Sequence, residues 1–161
     1  MNLRGNSRRG LWERKALRSH ADGGFVCKHC GQYVSSAWPI AGVRHRNHCP
    51  YCLHSRHLDL WQAGDRLSAC KGDMRPVGLT FKRLRKKYGG AWGELMLVHR
   101  CQACGKISAN RVAADDDSAA LLALLDQSSS LANPEAADIQ LLGPADIADV
   151  RIQLYGRNRS C

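Results

Sequence analysis

The stretches CKHCG (residues 27–31) and CPYC (residues 49–52) decide the fold of this chain. Each contains two cysteines three positions apart, and 18 residues separate the two pairs, a spacing typical of four-thiolate zinc sites. Two residues between thiolates allow one tight turn to hold both sulfurs about 2.3 Å from a tetrahedral zinc ion, and Gly31 permits that turn. The predicted ligands of this first zinc site are Cys27, Cys30, Cys49 and Cys52.

A redox-active pair is the alternative interpretation of a C-x-x-C motif. Two matched pairs, neither of them followed by a β-α-β pattern, favour zinc over a thioredoxin-like pair. Four cysteine ligands fill the coordination sphere and leave no open position for a substrate. The sequence therefore predicts a structural rather than a catalytic metal site.

A third pair, Cys101 and Cys104, supplies two ligands of a second predicted zinc site. Cys70 is a further cysteine in the same region, and the fourth ligand must then be another residue type. His57, which lies 13 residues before Cys70, is the predicted fourth ligand, and His99 is the main competitor. In the alternative interpretation Cys70 is a small buried apolar residue and the third pair binds no metal.

Aromatic residues make up only 6% of the chain, so the predicted apolar core is small and bound metal must supplement it. No window approaches the roughly 18 consecutive apolar residues of a membrane span, and the amino end does not resemble a secretion signal. We therefore expect a cytoplasmic protein that does not associate with membranes. In such a reducing compartment paired cysteines bind metal more often than they form disulfides.

The net charge of +10 is unevenly distributed. Residues 1–114 contain 21 Lys and Arg against 6 Asp and Glu, which gives +15, whereas residues 115–161 contain 3 against 8, which gives −5. The basic part is expected to meet an anionic partner such as a nucleic acid.

Charge and cysteine spacing divide the chain into three predicted parts. Residues 1–22 form a basic flexible arm, for which a mitochondrial presequence is the alternative interpretation. Residues 23–117 form the zinc-binding domain, in which short antiparallel strands lead into the cysteine pairs. Residues 118–161 form an acidic, largely helical carboxy-terminal appendage. The predicted fold class is a small α+β zinc-stabilised domain, similar to a zinc ribbon or zinc knuckle, with a basic helix and this appendage.

The basic helix is predicted to begin with Thr80 as its cap and to end at Gly89-Gly90, because Phe81, Leu84 and Tyr88 recur at helical spacing. Its other faces carry the cations Lys82, Arg83, Arg85, Lys86 and Lys87.

Aspartates at positions 115–117 predict the start of a helix that continues over residues 119–125, because negative charge favours a helix amino end. Residues 134–156 are predicted to form a helical stretch broken at Gly143-Pro144, followed by a short strand over residues 150–155.

The run RNHCP (residues 46–50) is letter for letter the signature of the bacterial RNHCP domain, and the chain resembles that family over roughly residues 25–117. The positions downstream that carry the resemblance are Cys52, Leu53, Ser55, His57, Leu58, Asp59, Gly64, Asp65, Arg66, Cys70, Met74, Pro76, His99, Arg100, Cys101, Cys104, Gly105, Asn110, Arg111, Asp115 and Asp116. The resemblance implies a single domain and a bacterial host. It implies no particular activity, because the family is named for its motif.

Basic charge and neighbouring aromatic rings predict nucleic-acid binding, since cations release counterions from phosphates and rings stack on unpaired bases. The predicted contacts are Arg44, Arg46 and the five cations of the basic helix. RNA is the preferred partner and DNA the second. Ribosomal RNA is the first RNA to consider, by analogy with zinc ribbons in ribosome-bound and ribosome-assembly proteins.

Two other functional classes remain open. A zinc hydrolase could use His54, His57, Asp59 and Asp65 around an ion with an open position, but no nucleophile elbow, phosphate loop or catalytic carboxylate pair accompanies them. We therefore expect a protein that is not an enzyme. A protein-interaction module could dock through the leucines of residues 121–125, which more often pack on their own domain.

Overall fold

The computed structural model describes residues 23–82, 93–127 and 139–156. Two antiparallel sheets are present, a small hairpin of β1 with β2 and a larger sheet in the order β3-β4-β5-β6. The strands are β1 (Phe25–Val26), β2 (Tyr33–Val34), β3 (Ser55–Arg56), β4 (Asp73–Lys82), β5 (Glu94–Cys101) and β6 (Ile107–Arg111). The predicted α+β fold with antiparallel strands is confirmed.

Helical segments follow or interrupt the strands. They are α1 (Trp38–Ala41), α2 (Ser118–Gln127), a 3-10 turn (Pro144–Asp146) and α3 (Ile147–Tyr155). Within the described ranges no helix is long and apolar enough to cross a lipid bilayer. The predicted basic arm of residues 1–22 lies outside the described residues.

The strand pair β4–β5 forms the centre of the larger sheet. Its register runs from Met74 opposite Cys101 to Lys82 opposite Glu94, with an irregularity between Pro76 and Gly78. The continuous apolar run of residues 95–98 in β5 is buried, as is usual for a strand covered on both faces. This pair leads directly into the third cysteine pair.

The predicted start of the basic helix is wrong. Thr80, Phe81 and Lys82 belong to β4 and pair with Met96, Leu95 and Glu94 of β5. The helical spacing misled because these three residues pair with β5, and pairing across strands outweighs a weak local propensity. The remaining residues of that predicted helix, 83–90, lie outside the described residues.

The helix predicted after the aspartates is confirmed as α2. Asp117 caps it, because its carboxylate accepts hydrogen bonds from the backbone N–H groups of Ala119 at 2.8 Å and Ala120 at 3.3 Å. Leucines of α2 face the larger sheet. The expectation that they pack on their own chain is therefore confirmed for Leu121, Leu124 and Leu125.

The strand predicted over residues 150–155 is wrong, because these residues form the end of α3. Val150 is fully buried, and Leu154, four positions later, packs on the same core, which is the spacing of one helix face. The predicted break at Gly143-Pro144 is present as the start of the 3-10 turn.

One apolar cluster joins the sheet to both later helices. Its buried members are Leu53, Leu79, Leu95, Leu97, Leu121, Leu124, Leu125, Leu142 and Val150. A second, smaller cluster surrounds the hairpin and consists of Cys27, Val34 and Cys49, with Phe25 and Cys52 beside it. The first cysteine of each of the first two pairs therefore lies against apolar side chains rather than in a solvated loop.

A buried ionic cluster ties residues 46–48 to the turn before α2. The Arg46 guanidinium, fully buried, donates to both carboxylate oxygens of Asp115 at 2.7 Å and to Asp116 at 3.1 Å. His48 lies 2.8 Å from the same Asp116 carboxylate, which also accepts the backbone N–H of Ala113 at 2.7 Å. The Arg and His of the RNHCP run therefore connect the second cysteine turn to the start of α2.

This cluster corrects the prediction that Arg46 contacts nucleic acid. A buried guanidinium with all its described contacts inside the protein is not available to a phosphate. The sequence did not reveal this because its acidic partners lie 69 and 70 residues away.

We predict that Asp116→Asn lowers the free energy of unfolding by roughly 3 kcal/mol. The substitution removes the negative charge that the buried Arg46 and His48 side chains contact. Denaturant unfolding in the presence of zinc measures the change. Asp126→Asn, at an exposed position of α2, is the matched control and should change stability by less than about 0.5 kcal/mol. Equal stability of the two variants would show that the cluster does not hold α2.

Candidate metal centres

Three turns of the same construction present the cysteine pairs. In each, the backbone N–H of the first cysteine donates to the carbonyl five residues later, at 2.9 Å for Cys27 and Cys49 and 2.8 Å for Cys101. The carbonyl of that cysteine then accepts the N–H of the residue after the second cysteine. Local hydrogen bonds therefore form these turns, which is why the sequence predicted them.

The residue after the second cysteine has a positive φ in all three turns. Gly31 and Gly105 supply it at 76° and 78°, whereas Leu53 adopts 61°. A left-handed conformation costs a non-glycine residue about 1–2 kcal/mol. Leu53 is nevertheless buried in the main core, so its packing offsets the strain and links the second turn to the sheet.

The first group brings Cys27, Cys30, Cys49 and Cys52 together, with all four sulfurs within 4.8 Å of one another. The Cys27–Cys52 and Cys30–Cys49 sulfurs are each 3.6 Å apart. Disulfide sulfurs would be about 2.05 Å apart, whereas two sulfurs about 2.3 Å from one tetrahedral zinc ion are about 3.8 Å apart. The group fits a zinc site.

The burial of its thiols means that the first group needs a divalent cation to hold several thiolates. Burial raises the pKa of the Cys49 and Cys52 thiols, whereas a hydrogen bond from the Gln32 backbone lowers the pKa of the exposed Cys30. Several thiolates cannot share so small a volume without a compensating charge, and zinc supplies that charge when it is bound. Four protein ligands complete the shell, so the site is suited to a structural role.

The second group consists of His57, Cys70, Cys101 and Cys104, whose ligand atoms also lie within 4.8 Å of one another. The Cys70 and Cys101 sulfurs are 3.6 Å apart, and Nδ1 of His57 lies 3.3 Å from the Cys104 sulfur. Burial, followed by the charge of Lys106, lowers the pKa of His57 and favours the neutral imidazole that zinc requires. The two groups together fit two zinc ions.

His99, the competing ligand, has another structural task. It is completely buried, its Nε2 donates to the Leu53 carbonyl at 2.7 Å, and Nδ1 accepts from the Asn110 amide at 3.0 Å. Both ring nitrogens therefore have a hydrogen-bond partner when the imidazole is neutral. Burial lowers the pKa of His99 to about 3. His57 and not His99 stands with the three cysteines.

The backbone at Gly72 passes close to the sulfurs of the second group. A Cβ at Gly72 would lie 2.9 Å from the Cys101 sulfur and 3.2 Å from the Cys70 sulfur, so only glycine leaves room for both. The Gly72 carbonyl also accepts the backbone N–H of His57 at 2.9 Å. Nε2 of His57 is buried without a hydrogen-bond partner among the described residues.

The residues considered for a hydrolase do not form one site. His57 belongs to the second group. The Asp65 carboxylate accepts hydrogen bonds from backbone N–H groups of the loop over residues 60–67. These hydrogen bonds, the one from Gln62 first, lower the pKa of Asp65. The Asp59 carboxylate accepts the N–H groups of Gly64 and Arg66. Both carboxylates therefore accept backbone hydrogen bonds within this loop, and neither belongs to a metal-ligand group of the described residues.

The sequence named His54 as a hydrolase candidate but did not predict the third group to which it belongs. His29 lies inside the first C-x-x-C turn, His54 follows the second, and Asp73 begins β4; these three also place ligand atoms within 4.8 Å of one another. The two imidazoles stack with centroids 3.5 Å apart, and His54 Nδ1 lies 3.2 Å from an Asp73 oxygen. Burial, ahead of the charge of His29, lowers the pKa of His54. The sequence signal for this group was a histidine in or next to each of the first two cysteine turns, residues 27–32 and 49–54, which we call the first and second knuckles.

The predicted nucleic-acid contacts are dispersed. Arg44 and Lys82 are exposed, and Arg46 is buried in the ionic cluster. Arg83, Arg85, Lys86 and Lys87 lie outside the described residues.

We predict that His57→Ala releases one of two tightly bound zinc ions, because the second group then has three ligands. His57→Cys should retain both ions, since it restores a fourth ligand, and His99→Gln should retain both while being less stable. Elemental analysis after gel filtration measures the zinc content. Loss of an ion from His99→Gln with retention in His57→Ala would transfer the ligand role to His99.

Comparison with known proteins agrees with this architecture. The family model of the RNHCP domain matches residues 22–122, a range that includes all eight zinc-site residues and the aspartates that bind Arg46 and His48. No curated protein and no solved structure matches the chain significantly. Since the match covers more than half of its length, the chain belongs to the RNHCP domain family.

Proposed function

We propose that this protein is a zinc-stabilised RNA-binding protein. Its RNA would lie along one continuous cationic surface, made of a cleft beside the first knuckle and the adjoining outer face of β4 and β5. The two zinc sites would hold that surface in shape and take no part in chemistry. The cationic cleft is the observation that carries the proposal.

The cleft lies between the first knuckle and β3 and has a volume of about 300 Å³, at the lower end of the roughly 300–1,000 Å³ of small-ligand sites. Its lining includes the cations Lys28, Arg56 and Arg66, besides Arg46, whose charge the aspartates compensate. Asp73 is its only acidic lining residue among those described. Such a lining favours an anion with polar edges, as a nucleotide is.

Two further arginines extend the positive charge from the cleft onto the sheet. Arg75 lies two positions after Asp73 on β4, close enough that its charge acts on His54 in the cleft. Arg100 stands directly opposite Arg75 on β5, and both are exposed. Like charges directly opposite each other destabilise a strand pair, which a bound polyanion would relieve.

The shape of the surface favours unpaired RNA over duplex DNA. Phe25 and the stacked His29–His54 pair line the cleft, and rings of this kind stack on unpaired bases. The described residues offer no long exposed basic helix for a DNA major groove. Ribosomal RNA remains the first RNA to test, on the analogy with zinc ribbons of ribosome-associated proteins.

We predict that the double variant Arg75→Glu/Arg100→Glu binds single-stranded RNA at least tenfold more weakly without losing zinc. The slope of log affinity against log salt should flatten by about 0.7 for each phosphate that the variant no longer neutralises. Fluorescence anisotropy with a labelled RNA of mixed sequence, over a salt series, measures both quantities. Single-stranded DNA and duplex DNA of the same sequence establish the preference for RNA.

Arg151→Glu is the matched control, because Arg151 is an exposed cation on α3 in the acidic part of the chain. It should leave affinity and slope unchanged. If the unmutated protein binds neither RNA nor DNA near physiological salt, or if the control weakens binding as much as the double variant, the proposal is wrong.

A further inference from the structure

We propose that His29, His54 and Asp73 form a third divalent-cation site, which keeps open coordination positions facing the cleft. Two imidazole nitrogens and one carboxylate oxygen are donors that first-row ions such as Zn²⁺, Co²⁺ and Ni²⁺ accept. The proposal does not depend on RNA binding, and it concerns none of the eight residues of the two zinc sites.

The distances fit a shared ion. Nδ1 of His54 and an Asp73 carboxylate oxygen are 3.2 Å apart, close to the separation of about 3.3 Å between two ligands that each lie about 2.0–2.1 Å from one tetrahedral ion. A ring nitrogen of His29 completes a set within 4.8 Å. The lone pairs of the two stacked rings point in parallel planes, so shared coordination requires the exposed His29 side chain to rotate out of the stack.

Ordered elements fix the backbone of all three residues. His29 belongs to the first knuckle, and His54 is fixed because its carbonyl accepts the N–H of Cys49 at 2.9 Å. Asp73 begins the long strand β4, where it pairs with Arg56 of β3. Zinc at the first group therefore positions two of the three proposed ligands, as a preformed metal site requires.

Access distinguishes this group from the two zinc sites. All three residues line the cleft, and the side chains of His54 and Asp73 are 15% and 45% exposed. Three protein ligands leave at least one position for water or an oxygen of an anion, unlike a shell of four. The nearby Lys28, Arg56 and Arg66 oppose a bound cation, so we expect this ion to exchange readily.

Titration of the protein already loaded with two zinc ions tests the proposal, with cobalt(II) chloride as the probe. We expect calorimetry to show one further ion per chain, which gel filtration removes while both zinc ions stay. The near-ultraviolet absorption should lack the thiolate-to-cobalt charge-transfer band that cysteine ligands produce. No third ion in the unmutated protein, or release of zinc in step with cobalt uptake, would overturn the proposal.

Variants then locate the ion. His54→Ala and Asp73→Asn should each weaken cobalt binding at least tenfold while the zinc content stays at two per chain. His45→Ala is the matched control, because His45 is an exposed histidine outside the three groups, and it should bind cobalt as the unmutated protein does. Unchanged binding in both site variants, or equal weakening in the control, would assign the ion to other surface residues.

Discussion

Four sulfur atoms must surround one point at the first zinc site, and the residues around Cys49 transmit that constraint to the rest of the molecule. Arg46 and His48 precede Cys49 and bind the aspartates at the start of α2. Leu53, after the second turn, enters the main core and accepts the His99 hydrogen bond. One segment therefore joins the hairpin, the sheet and α2.

Sequence reasoning succeeded where the structure is local. The three knuckles and the cap of α2 depend on hydrogen bonds within a few residues, and their patterns are visible in the chain. It failed where a distant partner decides: Thr80 joins a strand because Met96 lies opposite it, and Arg46 is buried because Asp115 and Asp116 receive it. His57 and His99 were both candidates for the fourth ligand, and only their surroundings in the fold separate a metal ligand from a core hydrogen-bond donor.

The two four-ligand metal groups stabilise the fold, whereas the cleft beside the first of them is open to solvent. Closed four-ligand sites contribute folding free energy when metal binds, which suits a chain with few aromatic residues. The cleft beside the first knuckle instead combines cations, stacked imidazoles and one carboxylate. We therefore expect recognition at the cleft, which borders the first zinc site at Cys27 but uses side chains other than the eight ligands.

The zinc coordination shell gives the most direct test of this account. X-ray absorption at the zinc edge, measured on protein that carries two zinc ions per chain, reports the ligand types and distances averaged over both ions. One four-cysteine site and one site with His57 and three cysteines predict seven sulfur and one nitrogen ligand over two ions, with Zn–S distances near about 2.3 Å. A shell containing several oxygen or nitrogen ligands per zinc, or a single zinc ion per chain, would contradict the two closed sites on which the fold is argued to depend.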